Sequence, residues 1–211
     1  AHLLAAAVME LWPQAKRTIG PAIENGFYYD FDFSDAKVSE ADFPKIEEKM
    51  RELVKDWKGF ERSELSADEA KKAYPGNEFK HELIDEFTKD GQTLTLYQSG
   101  NFVDLCRGGH TDNPAKALKH FKLLSVAGAY WRGNEKNKML TRIYGTCWPT
   151  AEELEAYIVQ QEEAKKRDHR KLGKELDLFT FSDLVGPGLP LWTPRGTLMR
   201  NLLDDYVWQL R

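Results

Sequence analysis

Residues Val103-Asp104-Leu105-Cys106-Arg107-Gly108-Gly109-His110 place a carboxylate, a thiol, a guanidinium and an imidazole around two glycines. Three residues separate Cys106 from His110, and one helical turn or a tight Gly-Gly turn can bring sulfur and imidazole nitrogen to one point. Such a pair can bind a soft cation, or position a water beside a reacting carbonyl. The same residues also describe a small buried cysteine, a surface histidine and a hairpin turn. Spacing leaves both readings open, so the elements that carry these residues have to decide.

The chain has 211 residues and a formal net charge of −4. That length supports one large domain, or one domain and a piece of another, with ample material for a core. The negative balance argues against a broad, nonspecific grip on nucleic acid, which needs many neutralised phosphates, while local basic patches remain open. Cys106 and Cys147 stand in a chain with no charged-then-apolar leader and no apolar run long enough to span a bilayer. A reducing, cytoplasmic setting without membrane or structural disulfide is the expectation. The chain opens without Met inside a helical run and ends in an amphipathic helix without a cap, so it reads as a piece of something longer.

His2 to Leu11 leaves few exposed positions and predicts a mostly buried helix, stopped near Trp12-Pro13, with His2 in its first turn. Ile19-Gly20-Pro21 is a turn, and Glu24-Asn25-Gly26 signals a hairpin ahead of residues 27–33. There the odd positions are aromatic while Asp30 and Asp32 fall on the other face, as in a half-buried strand. Ser39 and Asp42 start a helix whose Ile46, Met50, Leu53, Val54 and Trp57 should cover a sheet. Ser66 with Glu69 forms a capping box for a short helix ending before Tyr74-Pro75-Gly76-Asn77, and Phe79 to Ile84 follows.

Residues 93–97 and 102–106 flank the turn Ser99-Gly100-Asn101, a hairpin whose second strand delivers Asp104 and Cys106 on one face. Residues 121–131 and 138–148 bracket Arg132-Gly133-Asn134 as a second hairpin. Thr150 and Glu153 cap a highly charged helix running through Lys174, acidic first and basic last, of the kind that connects domains. Its basic cluster Lys165, Lys166, Arg167, His169, Arg170, Lys171 and Lys174 suits solvent, or phosphates if the partner is RNA. Leu184 to Trp192, with Gly186, Pro187, Gly188 and Pro190, is a loop into the last helix, Leu198 to Arg211.

Three collinear segments, residues 103–110, 121–133 and 138–146, together closely resemble the editing domain of bacterial-type threonyl-tRNA synthetases, a fold shared by resemblance with the alanyl enzymes. Ile19-Gly20-Pro21, residues 25–30 and the basic segment 167–173 fit the same family. Residues from Asp177 onward, with Gly186-Pro187-Gly188 and Trp192 to Leu202, resemble the entry to a class II catalytic domain. The resemblance implies an α+β fold, an antiparallel sheet covered by helices and followed by a long linker helix. It divides the chain into an editing domain (1–149), a linker helix (150–176) and the truncated start of an aminoacylation domain (177–211).

The family's editing site, carried onto this chain, consists of the second histidine of a His-x-x-x-His pair at His2, a lysine at Lys80, and Asp104, Cys106 and His110. The first histidine of the pair would lie four residues before His2. Tyr29, Tyr130, Gly108 and Gly109 are the implied substrate-binding residues. The implied reaction is hydrolysis of the ester of mischarged seryl-tRNA(Thr), because one missing methylene gives only about 1–3 kcal/mol of discrimination in the activating site. His2 or His110 would orient or deprotonate the water, Lys80 would stabilise the oxyanion, and Asp104 would hold the substrate amine or a histidine tautomer. Cys106 would be a pocket wall or orienter rather than a nucleophile. His2, Cys106 and His110 make three quarters of a zinc quartet, yet no metal is expected. Zinc, ATP and Mg belong with the catalytic domain beyond Arg211. The implied partners are the acceptor end of tRNA(Thr) and, for the full-length protein, a second copy in a homodimer. Two other readings are a tRNA-docking spacer with an inactive pocket and a free-standing trans-editing protein, the latter disfavoured by residues 177–211.

Overall fold

Helix α1 (His2–Leu11) has an apolar run too continuous to leave a solvent stripe, and it buries residues Leu3 to Val8. It packs on α2 (Phe43–Leu53), whose Phe43, Ile46 and Met50 recur at helical spacing on one buried face. This and the following description come from a computed structural model of the chain, which describes residues 1–186 and 188–211. Between the two helices run β1 (Lys16–Arg17), β2 (Ala22–Ile23) and β3 (Gly26–Asp32). Ile23 pairs with Gly26 across Glu24-Asn25, as the hairpin signal predicts. The capping box of Ser39 and Asp42 opens a short 3-10 turn ahead of α2, and another 3-10 turn after α2 carries the chain to the buried Trp57.

The middle of the chain forms β4 (Glu61–Leu65), α3 (Ala67–Lys72), α4 (Glu78–Lys89), β5 (Leu94–Ser99) and β6 (Phe102–Leu105). Ser66 caps α3 by the expected box with Glu69. Strands β4, β5 and β6 make a three-stranded antiparallel sheet in that order. After a one-turn α5 (Pro114–Ala117), β7 (His120–Tyr130) and β8 (Met139–Trp148) form the long hairpin, with Trp131–Gly133 as a 3-10 turn at its tip. The second sheet is antiparallel throughout and runs β1-β3-β8-β7, with β2 also paired to β3.

Strand β3 departs from the half-buried expectation. Its aromatic face enters the core, with Tyr29 and Phe31 at 1% and 0% exposure, but Asp30 and Asp32 are also buried, at 4% and 3%. The neighbouring strand explains this: Arg142, in register with Asp30, grips it at 2.7 and 2.8 Å, and Lys138 reaches Asp32 at 2.6 Å. Paired carboxylates can be covered where unpaired ones cannot.

Residues Ala1–Leu154 form one compact unit and Glu155–Arg211 another. The single charged helix expected through Lys174 is divided into α6 (Ala151–Lys166) and α7 (His169–Glu175). The side chain of Asp168 accepts from the Arg170 N–H at 2.8 Å, starting a new helix where the first stops. Strand β10 (Leu191–Trp192), at the end of the stretch expected to be loop, pairs antiparallel with β9 (Phe179–Thr180), which precedes it. Pro187 of that stretch lies outside the described residues. Helix α8 (Pro194–Leu210) is capped by Thr193 and exposes Leu198, Leu202 and Trp208. Among the described residues no helix is long and apolar enough to cross a membrane.

Candidate functional site

Asn77 fixes the start of α4: its side chain accepts from the Lys80 N–H at 3.1 Å and donates to the Arg17 carbonyl at 2.8 Å. The first turn of α4 is thereby tied to β1, and Lys80 is aimed at β6. Its Nζ lies 2.7 Å from Asp104 Oδ1, with both side chains 2% exposed. Oδ1 also accepts from Tyr74 Oη at 3.1 Å and from the Leu105 N–H at 2.9 Å, while Oδ2 accepts from Tyr29 Oη at 2.5 Å. Arg17 Nε stands 3.5 Å from Oδ1.

Burial alone would push the Asp104 carboxyl up, but Lys80, Arg17 and His2 overcome it and hold it down at about 2. Burial pushes Lys80 down from its ordinary value, with Asp104 opposing. Tyr29 and Tyr74 are both driven up, first by burial and then by Asp104, and remain neutral donors.

His2 opens α1 and lies beside this cluster, its ring centroid 4.9 Å from that of His110. Burial lowers His2 to about 4, against the pull of Asp104, so its imidazole is neutral near pH 7. His110 is lowered as well, chiefly by burial. Cys106 Sγ lies 3.3 Å from His110 Nε2 and 3.4 Å from the Gly108 N–H. The His110 ring stacks on Phe60 at 4.1 Å and abuts Tyr97 at 4.4 Å. Gly108 and Gly109 have φ of +105° and +82°, and the return turn depends on both.

A cavity of about 610 Å³ opens over these groups. Of the residues expected at the site, His2, Tyr29, Lys80, Asp104, Cys106, Gly108 and Tyr130 line it, whereas Gly109 and His110 lie outside its wall. His110 contacts both Cys106 and His2. Asp104 bonds neither imidazole, so it does not set a histidine tautomer, but Oδ2 has a single donor and can accept an ammonium. Ala6 occupies the position one turn after His2 and is 4% exposed, so the helix supplies no second imidazole in that direction.

His2, Cys106 and His110 hold one ligand atom each within 4.8 Å of one another. Donors about 2.0–2.3 Å from a tetrahedral zinc stand about 3.3–3.8 Å from one another, so these three would have to draw together only slightly. Asp104, two residues before Cys106, is committed to Lys80 and the two tyrosines. The residues thus fit a metal after slight contraction and with an outside fourth ligand.

Arg17, Tyr74 and Phe60 were not foreseen. Arg17 sits in a two-residue strand and Tyr74 in a turn, segments too short for periodicity to show which way a side chain points. The Tyr74-Pro75-Gly76-Asn77 signal marks a turn but not the inward tyrosine.

Residues 94–144 match the family described as the threonyl and alanyl tRNA synthetase second additional domain. Over 208 residues, 98% of this chain, the sequence is 53% identical to a threonine-tRNA ligase of Pelobacter propionicus, of which it covers 32%. It is 50% identical over 212 residues to that of Rubrobacter xylanophilus, covering 33% of it, and 54% identical over 207 residues to that of a Geobacter species, covering 32%. The chain therefore spans about a third of the length of these relatives.

Proposed function

We propose that this chain, similar over essentially its whole length to threonine-tRNA ligases, is the proofreading part of such a ligase, hydrolysing the ester of seryl-tRNA(Thr). The observation that supports this most directly is a buried Lys80-Asp104 pair in the wall of a cavity shared with the neutral imidazole of His2. Ester hydrolysis needs an oriented water, a proton acceptor and positive charge where the oxyanion forms. In this reading His2 orients and deprotonates the water, Lys80 meets the oxyanion, and Asp104 Oδ2 receives the seryl ammonium. Cys106 is wall. Tyr29 and Tyr130 line the pocket, and Gly108 lets the backbone approach the ligand.

No metal takes part in this scheme. Zinc, ATP and Mg serve the aminoacylation domain, of which residues 177–211 are the opening part, with 150–176 as linker and 1–149 as editing domain. The partner is the acceptor end of tRNA(Thr), and the whole ligase is a homodimer.

Single-turnover deacylation of seryl-tRNA(Thr) by the chain tests the reading, with threonyl-tRNA(Thr) as control. Lys80→Ala should slow the seryl reaction by about 10²–10³, and His2→Ala by about 10²–10⁴. Cys106→Ala should retain at least roughly a tenth of the rate, since no acyl-enzyme forms. Intact tRNA binding without any hydrolysis would favour a docking module instead.

A further inference from the structure

The cluster beneath the cavity holds two cations, Lys80 and Arg17, against one carboxylate, Asp104. Lys80 lines the 610 Å³ cavity, whereas Arg17 does not and instead lines a second hollow with Lys16, Tyr74 and Asn77. The guanidinium is locked in place: Nη2 donates to the Val103 carbonyl at 2.8 Å, and the group lies 5.1 Å from the Tyr74 ring centroid and 4.9 Å from that of Phe102. Yet its buried Nε, 3.5 Å from Asp104 Oδ1, makes no hydrogen bond. Oδ1 is already crowded by Lys80, Tyr74 and the Leu105 N–H.

We infer that Arg17 is a positioning residue, the standing counter-charge of Asp104 that lets Lys80 turn from the carboxylate to the reacting ester. A lysine that is the sole partner of a buried carboxylate cannot leave it without exposing an uncompensated charge. Here the departure of Lys80 opens a place on Oδ1, and the idle Arg17 Nε stands 3.5 Å from it. Guanidinium suits this task because it stays protonated at every working pH. Lys80 is then the surplus cation, faced by Asp104 from β6, Tyr29 from β3, Tyr74 from the turn before α4, Arg17 from β1, His2 from α1 and Cys106 beyond β6. Arg17 adds to the burial that lowers Lys80.

The inference rests on the proposed hydrolysis. Its test compares Arg17→Met, which keeps the packing stem, and Arg17→Lys, which keeps a charge, with the parent chain, using seryl-tRNA(Thr) deacylation from pH 6 to 10 and ¹³C NMR titration of Lys80. Loss of the charge should lower kcat about tenfold with KM little changed, and raise both the alkaline limb of the rate profile and the Lys80 titration by about one pH unit or more. Arg17→Lys should leave the limb where it is in the parent. A limb and titration unmoved in Arg17→Met, or moved equally in Arg17→Lys, would overturn the inference. Should Arg17→Met fail to fold, a shifted limb in Arg17→Lys alone overturns it and an unshifted one supports it. A parent chain without hydrolysis would sink the functional reading instead, and the Lys80 titration would still judge the role of Arg17.

Discussion

Lys80 and Asp104 meet at 2.7 Å with only 2% of either side chain exposed, yet the two are not equivalent partners. Asp104 without Lys80 still has Arg17, two tyrosines and a backbone N–H. Lys80 and Arg17 without Asp104 are two like charges in a buried place. Asp104→Ala should therefore destabilise the fold by about 3–5 kcal/mol, and Lys80→Ala by clearly less. Urea unfolding at pH 7 reads the difference, and equal losses would contradict the asymmetry.

The acid response follows from His2. Its folded value of about 4 lies below the unfolded value of about 6.5, so between these the unfolded chain binds more protons. Stability is full above about pH 6.5 and declines as the pH falls towards 4. Asp104, held at about 2, adds a further loss below pH 4. The His2 contribution should be at most roughly 3–4 kcal/mol, and His2→Phe should flatten the upper part of the decline in thermal melts. If His2 is the base, the acid limb of hydrolysis should lie near its own value rather than near pH 6.5.

The two glycines after Cys106 should respond differently to a methyl group. A Cβ on Gly108 would sit 2.8 Å from Tyr97 Oη, whereas one on Gly109 meets nothing within 4 Å. Both pay for a positive φ, of order 1–2 kcal/mol. Gly108→Ala should cost more than Gly109→Ala in thermal unfolding, and it alone should perturb the Cys106 side of the cavity.

Chelation should leave hydrolysis unchanged, and elemental analysis of the purified chain should find no stoichiometric zinc. Added zinc drawing together His2, Cys106 and His110 would immobilise the imidazole the reaction needs and inhibit it. Activity that vanishes with EDTA and returns with zinc would refute the metal-free scheme.

Much of the frame was readable from local rules. The capping box at Ser66, the turn at Glu24-Asn25 and the paired hairpins all depend on neighbours within a few residues, and they form as those rules predict. The site residues came from collinear resemblance, not periodicity. What local rules could not show depends on distant partners: Asp30 is buried because Arg142, 112 positions away, covers it. Tyr74 points inward because Asp104 waits there, 30 residues on. The break at Asp168 is a local event that charge patterning hid, since acids and bases continue across it.

Strand β3, α4 and β6 each bring one member of the Tyr29-Lys80-Asp104 cluster, and no two of these members share an element. The chemistry is therefore absent from every fragment of the fold and arises only at final docking. A loosened state that kept native helix and strand content but lost side-chain fit would look nearly intact by far-ultraviolet circular dichroism and yet be silent in the deacylation assay. Hydrolysis by this chain would thus report tertiary closure more sharply than spectroscopy does.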